Sequence, residues 1–144
     1  MNNIISCGSI FSILTFIHFF SDFLFQSHES AIIKHKNKKV RLTHCWDYII
    51  GFIPILYLLN PNPIIILLSL SILFSSHYMI DSYMPVYLWA LYIRKPPEMQ
   101  EDPSINGFIK FNSTALGKIL TIVVDQIFHL LFLIPVIILI VFFK

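Results

Sequence analysis

The chain has 144 residues and a formal net charge of +2; 56% of its residues are hydrophobic and only 12% are Asp, Glu, Lys or Arg. A soluble domain carries about 25% charged residues, so the composition excludes an ordinary water-soluble domain and points to a membrane. Nucleic-acid binding is not expected either: the one basic cluster, "KHKNKKVR" at 34–41, holds five of the ten Lys and Arg residues, but it is short, lies between apolar segments and has no aromatic side chain for base stacking.

In chain order, four segments approach the roughly 20 residues needed to cross the hydrocarbon core. The first spans 4–25 and ends in "QSHES". No basic residue precedes it and no small-residue cleavage site follows, so a spanning helix is expected and a signal peptide is not. The basic loop 26–41 comes next, with His28 and His35 expected to be solvated. The second segment, 42–59, contains Gly51 and Pro54, which packed membrane helices tolerate. "NPNP" at 60–63 reads as a tight turn into the third segment, 63–80.

The connection 81–118 is longer. Its aromatic part, "SYMPVYLWALYIRKPP", is expected either as an interfacial helix, with Trp89 and the tyrosines at headgroup level, or as an extension of the third helix beyond Pro85. "KPPEMQEDPS" reads as a loop. Asn112, Ser113 or Thr114 then caps a fourth segment, 119–143, with Pro135 inside it. Cys7 and Cys45 match no metal spacing or disulfide framework and are expected to be buried small residues. The reading is therefore a single all-α domain, a four-helix transmembrane bundle.

Charge sets the expected topology. The first loop carries the basic cluster, and the third carries Arg94, Lys95, Lys110 and Lys118 beside the acids Glu98, Glu101 and Asp102, whereas the turn at 60–63 is uncharged. Basic residues near helix ends prefer the cytoplasm. Loops 26–41 and 81–118 are thus expected in the cytoplasm and both termini outside it, in the inner membrane; Lys144 alone runs against this.

Ionisable residues inside the apolar segments follow a pattern: His18 with Asp22, His44 with Asp47, His77 with Asp81, and Asp125 with His129. Three pairs are spaced i, i+4 and one i, i+3, so each presents one helix face. At 1.5 Å per residue, His129 lies roughly 15 Å in from Ile119 and His18 roughly 12 Å in from Gln26. All four pairs reach one layer in the cytoplasmic half. An Asp in hydrocarbon is costly unless paired, and it ordinarily marks function. Asp47, close to a helix start, reads as a cap or a solvated charge.

Imidazoles and carboxylates are ligands for Zn, Mn or Fe, and two such metals sharing a carboxylate can activate water and stabilise the leaving oxygen of a phosphoester. His18, His44, His77 and His129 are the expected ligands, with Asp22, Asp81 and Asp125 as ligands or general base. Gln26, one turn past Asp22, is expected at the mouth of the pocket. Gln126 points about 100° away from Asp125 and bridges helices. A metal-ion or proton transporter or channel would use the same residues, with a homo-oligomer supplying a path between protomers. A structural subunit locked by a buried polar network is the third reading.

The pattern "HFFSDFLFQ", His44, "HYMID" and "DQIFH" resembles the small bacterial and phage membrane-protein family called domain of unknown function 3307, over essentially the whole chain. That family is similar in motif style to membrane-bound metal-dependent hydrolases. Its characteristic positions fall on His18, Asp22, Gln26, His44, His77, Asp81, Asp125, Gln126 and His129. The basic residue that the family often carries three after the third-helix motif is Met84 here, with Arg94 or Lys95 as substitutes. The resemblance implies a polar cluster acting as a unit. Together these readings lead us to expect metal-assisted hydrolysis of a phosphoester or lipid-linked substrate, with the bilayer, and anionic lipid drawn to the basic loop, as partners.

Overall fold

A computed structural model describes residues 2–24 and 26–143, with the side chains of 2–6, 28, 29 and 32 outside the description. The expectations for His28 and Lys144 fall outside the described residues. Helix α1 (Asn2–Phe19) continues as a π-helical turn, Phe20–Leu24; then follow α2 (His28–Ile33), α3 (Lys38–Leu59), α4 (Pro63–Ile80), α5 (Met84–Trp89) with a second π turn at Ala90–Arg94, α6 (Pro97–Glu101), α7 (Ile105–Ser113), α8 (Ala115–Leu131) and α9 (Leu133–Phe142). No strand occurs among the described residues.

Four stretches are long and apolar enough to cross a membrane: Cys7–Leu24, Lys38–Leu59, Pro63–Ile80 and Ala115–Phe142. Their outward faces expose large apolar side chains such as Phe16, Ile50, Leu58, Leu67 and Ile122. Water would penalise such a surface and lipid does not, so the fold is that of a membrane protein. The fourth stretch is bent at Phe132, where α8 gives way to α9; Pro135 cannot donate to the carbonyl of Leu131, which accounts for the break.

The helix ends follow from local chemistry. Asn37 Oδ1 accepts from the backbone N–H groups of Lys39 at 3.0 Å and Val40 at 3.4 Å, so α3 starts one turn before the expected position 42 and takes in Arg41. Asn62 caps α4, with Pro63 in its first turn. Asn60 is buried, and its amide donates to the carbonyls of Ile140 (3.3 Å) and Phe143 (3.2 Å), tying the α3–α4 turn to the end of α9. Of the three expected caps for α8 the structure selects Thr114, whose Oγ1 accepts from Gly117 N at 2.9 Å. A Cβ at Gly117 would overlap the Phe111 carbonyl, so glycine lets α7 fold back directly onto α8.

The connection 81–118 differs from its expected form. α4 stops at Ile80, Asp81 caps it, and Tyr83 adopts a left-handed conformation with φ 61° before α5 begins. The aromatic stretch is therefore a separate helix and not an extension of α4. "KPPEMQEDPS", expected as a loop, contains α6: Pro97 sits in its first turn, where proline is well suited. Met99 is buried with Val86, Ala90, Phe108 and Phe111. That small apolar cluster holds α6, which no local pattern signals, against α7, whose Phe108 and Phe111 share one face.

Candidate metal centre

Each of the four spans brings its polar residues to one end of the bundle, next to the α2–α3 connection. On α1 the switch to a π turn widens the coil where Ser21 and Asp22 become buried; such segments are common at functional sites. Asp22 turns to α3 and not to His18, with its Oδ1 3.0 Å from His44 Nε2. His77 Nε2 from α4 lies 3.0 Å from His44 Nε2 and 3.7 Å from Asp22 Oδ1. Asp81 Oδ2 stands 3.3 Å from His77 Nε2 and 3.5 Å from His44 Nε2. Asp22, His44, His77 and Asp81 are all buried. Ligands about 2.0–2.1 Å from a tetrahedral zinc are about 3.3–3.4 Å apart, and these spacings bracket that figure.

Lys34 reaches into the same group. Its ammonium is 3.0 Å from Asp81 Oδ1, 3.2 Å from His44 Nε2 and 3.5 Å from Asp22 Oδ1. Burial opposes its charge, but the carboxylates of Asp22 and Asp81 outweigh that and hold it above the ordinary lysine value. Asp81 also rises above the ordinary carboxylate value: burial is the main cause, Lys34 works against it and Asp22 adds to it.

The protonation of His44 decides which of these contacts are hydrogen bonds. If His44 Nε2 carries a proton it donates to Asp22 at 3.0 Å, beside the Lys34 ammonium, which donates to Asp81. If it carries none it accepts from Lys34 or His77 and faces Asp22 Oδ1, acceptor to acceptor, at 3.0 Å. Imidazole nitrogen has one hydrogen or one lone pair. With the imidazole nitrogens unprotonated, the lone pairs of His44, His77, Asp22 and Asp81 converge, and that donor set fits a divalent metal.

His129 is oriented for the same role. Its Nδ1–H donates to the Asp125 backbone carbonyl at 2.9 Å, which leaves the lone pair on Nε2. That Nε2 is buried with no hydrogen-bond partner among the described residues, 3.9 Å from Asp81 Oδ1. His18 differs. The Gln126 amide N–H donates to Asp125 Oδ2 at 3.2 Å, so its Oε1 faces His18 and accepts from Nε2–H at 3.0 Å. The Tyr48 hydroxyl donates to His18 Nδ1, also at 3.0 Å. Both His18 nitrogens are therefore engaged, and the ring stacks on His129 with centroids 5.2 Å apart.

The remaining expected residues sort by position. Asp125 flanks His129, with Oδ2 3.6 Å from its Nδ1 and Oδ1 unpartnered. Gln126 bridges α8 to α1 as expected. Gln26 is half-buried, its Nε2 enclosed without a partner. Asp47 is half-buried and joins none of these contacts. His35, expected to be solvated, is half-buried instead because its ring stacks on Tyr83, 4.9 Å between centroids. Arg94 and Lys95 are exposed.

Three contributors escaped the sequence reading. Lys34 looked like any other charge of the basic run. Cys45 Sγ lies within 4.8 Å of ligand-type atoms of His77 and Asp81. Tyr48 stacks flat on His77, 3.8 Å between centroids; it stands four residues after His44, so the i, i+4 rule contained its signal.

A family model described as "Protein of unknown function (DUF3307)" matches residues 10–144. No curated protein and no solved structure matches the chain.

Proposed function

We propose, for a chain that belongs to the family of proteins of unknown function DUF3307, that the polar layer is a divalent-metal centre hydrolysing a phosphoester or lipid-linked substrate at the cytoplasmic leaflet of the inner membrane. The observation that supports this reading is the convergence of Asp22 Oδ1, His44 Nε2 and His77 Nε2 within 4.8 Å of one another, with Asp81 Oδ2 3.3 Å and 3.5 Å from the two imidazoles. Asp81 and His129 complete the ligand set, which suits Zn, Mn or Fe. When bound, such an ion is a Lewis acid and makes water nucleophilic at neutral pH.

The chain's own residues do the rest. Asp125 Oδ1, buried and unpartnered, is the proton acceptor. His18, held by Tyr48 and Gln126, fixes α1, α3 and α8 against one another and packs the His129 ring. With a metal held there, Lys34 would lie outside the ligand group and would offer its charge to the anionic substrate. Loops 26–41 and 81–118 face the cytoplasm by their basic residues, with both termini outside.

Elemental analysis of the protein purified in mild detergent tests this. Stoichiometric Zn, Mn or Fe is expected, and it is lost in His77→Ala and in Asp22→Asn. A wild-type protein free of metal after incubation with each ion at neutral pH would sink the mechanism. One observation favours a second reading, a structural network: the Lys34 ammonium already stands 3.0–3.5 Å from three of the candidate ligand atoms. Lys34→Met separates the two. Metal affinity rises if lysine and metal compete for one place, whereas a lysine-locked network loses stability and binds no metal.

A further inference from the structure

Beside the polar layer, between the two chain reversals and α7, lies a cavity of about 350 Å³. The reversals share their residues between centre and cavity. Lys34 reaches the centre, and the next two residues, His35 and Lys36, line the cavity; Asp81 reaches the centre, and the next two, Ser82 and Tyr83, line the cavity. Asn112 and the apolar Ile105 and Ile109 of α7 complete the wall. No carboxylate lines it.

Its polar side is built for an anion. Lys36 is exposed and bears a positive charge, and His35 Nδ1 is enclosed without a hydrogen-bond partner. Arg41, buried in the first turns of α3, donates to the His35 carbonyl at 3.3 Å and adds positive charge behind the wall. Tyr83 keeps a left-handed backbone at φ 61°, rare for a residue with a large side chain, and its ring is clamped on His35. Strain held this way clusters at ligand sites. The other side is apolar: Ile105 and Ile109 are each 56% exposed on a helix packed beside the spans.

We propose that this cavity binds a phosphate group carried on an acyl or other apolar tail, with His35, Lys36 and Asn112 taking the phosphate and Ile105 and Ile109 the start of the tail. Calling that lipid the substrate rests on the hydrolase reading; its binding does not. A phosphomonoester lipid entering here sits one residue along each reversal from Lys34 and from the candidate ligand Asp81.

The test is calorimetric titration of the full-length protein in mild detergent with dioctanoyl phosphatidic acid, dioctanoylglycerol and inorganic phosphate. Phosphatidic acid is expected to bind, dioctanoylglycerol to fail and inorganic phosphate to bind at least about tenfold more weakly, a difference of about 1.4 kcal/mol. Lys36→Glu, at an exposed position that folding does not need, is expected to weaken phosphatidic acid about tenfold or more. Ile109→Ser is expected to weaken the lipid and leave inorganic phosphate unchanged. Equal binding of inorganic phosphate, or wild-type lipid affinity in both variants, overturns the proposal. Metal content measured on the same samples keeps the two readings apart. Lipid binding that depends on Lys36 in a protein without metal upholds the cavity and removes the substrate assignment. Full metal content with lipid binding indifferent to Lys36 and Ile109 overturns the cavity and leaves the centre.

Discussion

Leu14 and His18 lie one turn apart on α1, both fully buried, yet they face two different interiors. Leu14 packs with Phe52, Leu56, Leu73, Val136 and Ile140 in an apolar core shared by α1, α3, α4 and α9. His18 joins the layer of Tyr48, His44, His77 and His129 at the other end of the bundle, where α8 takes the place of α9. The apolar end depends on shape: dispersion and close packing hold it, and side chains of similar volume can replace one another. The polar end depends on identity. Each buried charge there relies on a partner of a given kind, and removing one strands another. Among the described residues the apolar end also offers a permeating ion no carboxylate or imidazole, which weighs against a transporter built from these residues alone.

The largest expected effect belongs to the polar end. Asp81→Ala leaves the Lys34 ammonium with its nearest carboxylate gone, and a loss of about 3–5 kcal/mol of stability is expected, measured by chemical unfolding in detergent. A cost below about 1 kcal/mol would mean that Lys34 turns out to solvent instead, since exposed pairs contribute no more than that. In the apolar end, Phe52→Ala is expected to cost about 3 kcal/mol while metal content stays at the wild-type level. If metal is lost too, the two interiors are one cooperative unit.

Tyr48→Phe probes the seam between them. It removes the hydroxyl from His18 Nδ1 and keeps the ring stacked on His77, so about 1 kcal/mol is expected. A larger loss would show that the hydrogen bond, and not the stack, joins the halves.

The smallest effect is in alkali. The folded value of Lys34 is raised, so its contribution is fully present below the unfolded lysine value of about 10.4 and disappears as pH rises through the folded value. Thermal unfolding without metal is expected to be independent of this group at neutral pH and to fall only in strong alkali. Lys34→Met should remove that alkaline fall.

Much of this was legible in the chain. The spans are set by length and apolarity, and the turn at 60–63 by its asparagines and prolines. The common depth of the polar residues follows from counting 1.5 Å steps from each helix end. Which residues touch was not legible. The i, i+4 rule pairs His18 with Asp22, but the π turn rotates Asp22 toward His44, and His18 is claimed by α3 and α8. Lys34, Lys36, Lys38 and Lys39 look alike along the chain, and only the packing of α2 against α3 selects Lys34 for burial. α6 was hidden because charges and prolines mask a helix whose stability comes from Met99 meeting residues of α5 and α7.

The sequence by itself determined a membrane bundle and the level at which its ionisable groups lie, because hydrocarbon tolerates so few of them and helix rise is constant. The tertiary structure alone decided that Asp22, His44, His77 and Asp81 share one point and that Lys34 joins them. Such contacts depend on how four helices rotate about their axes, and no spacing within a single helix encodes that rotation.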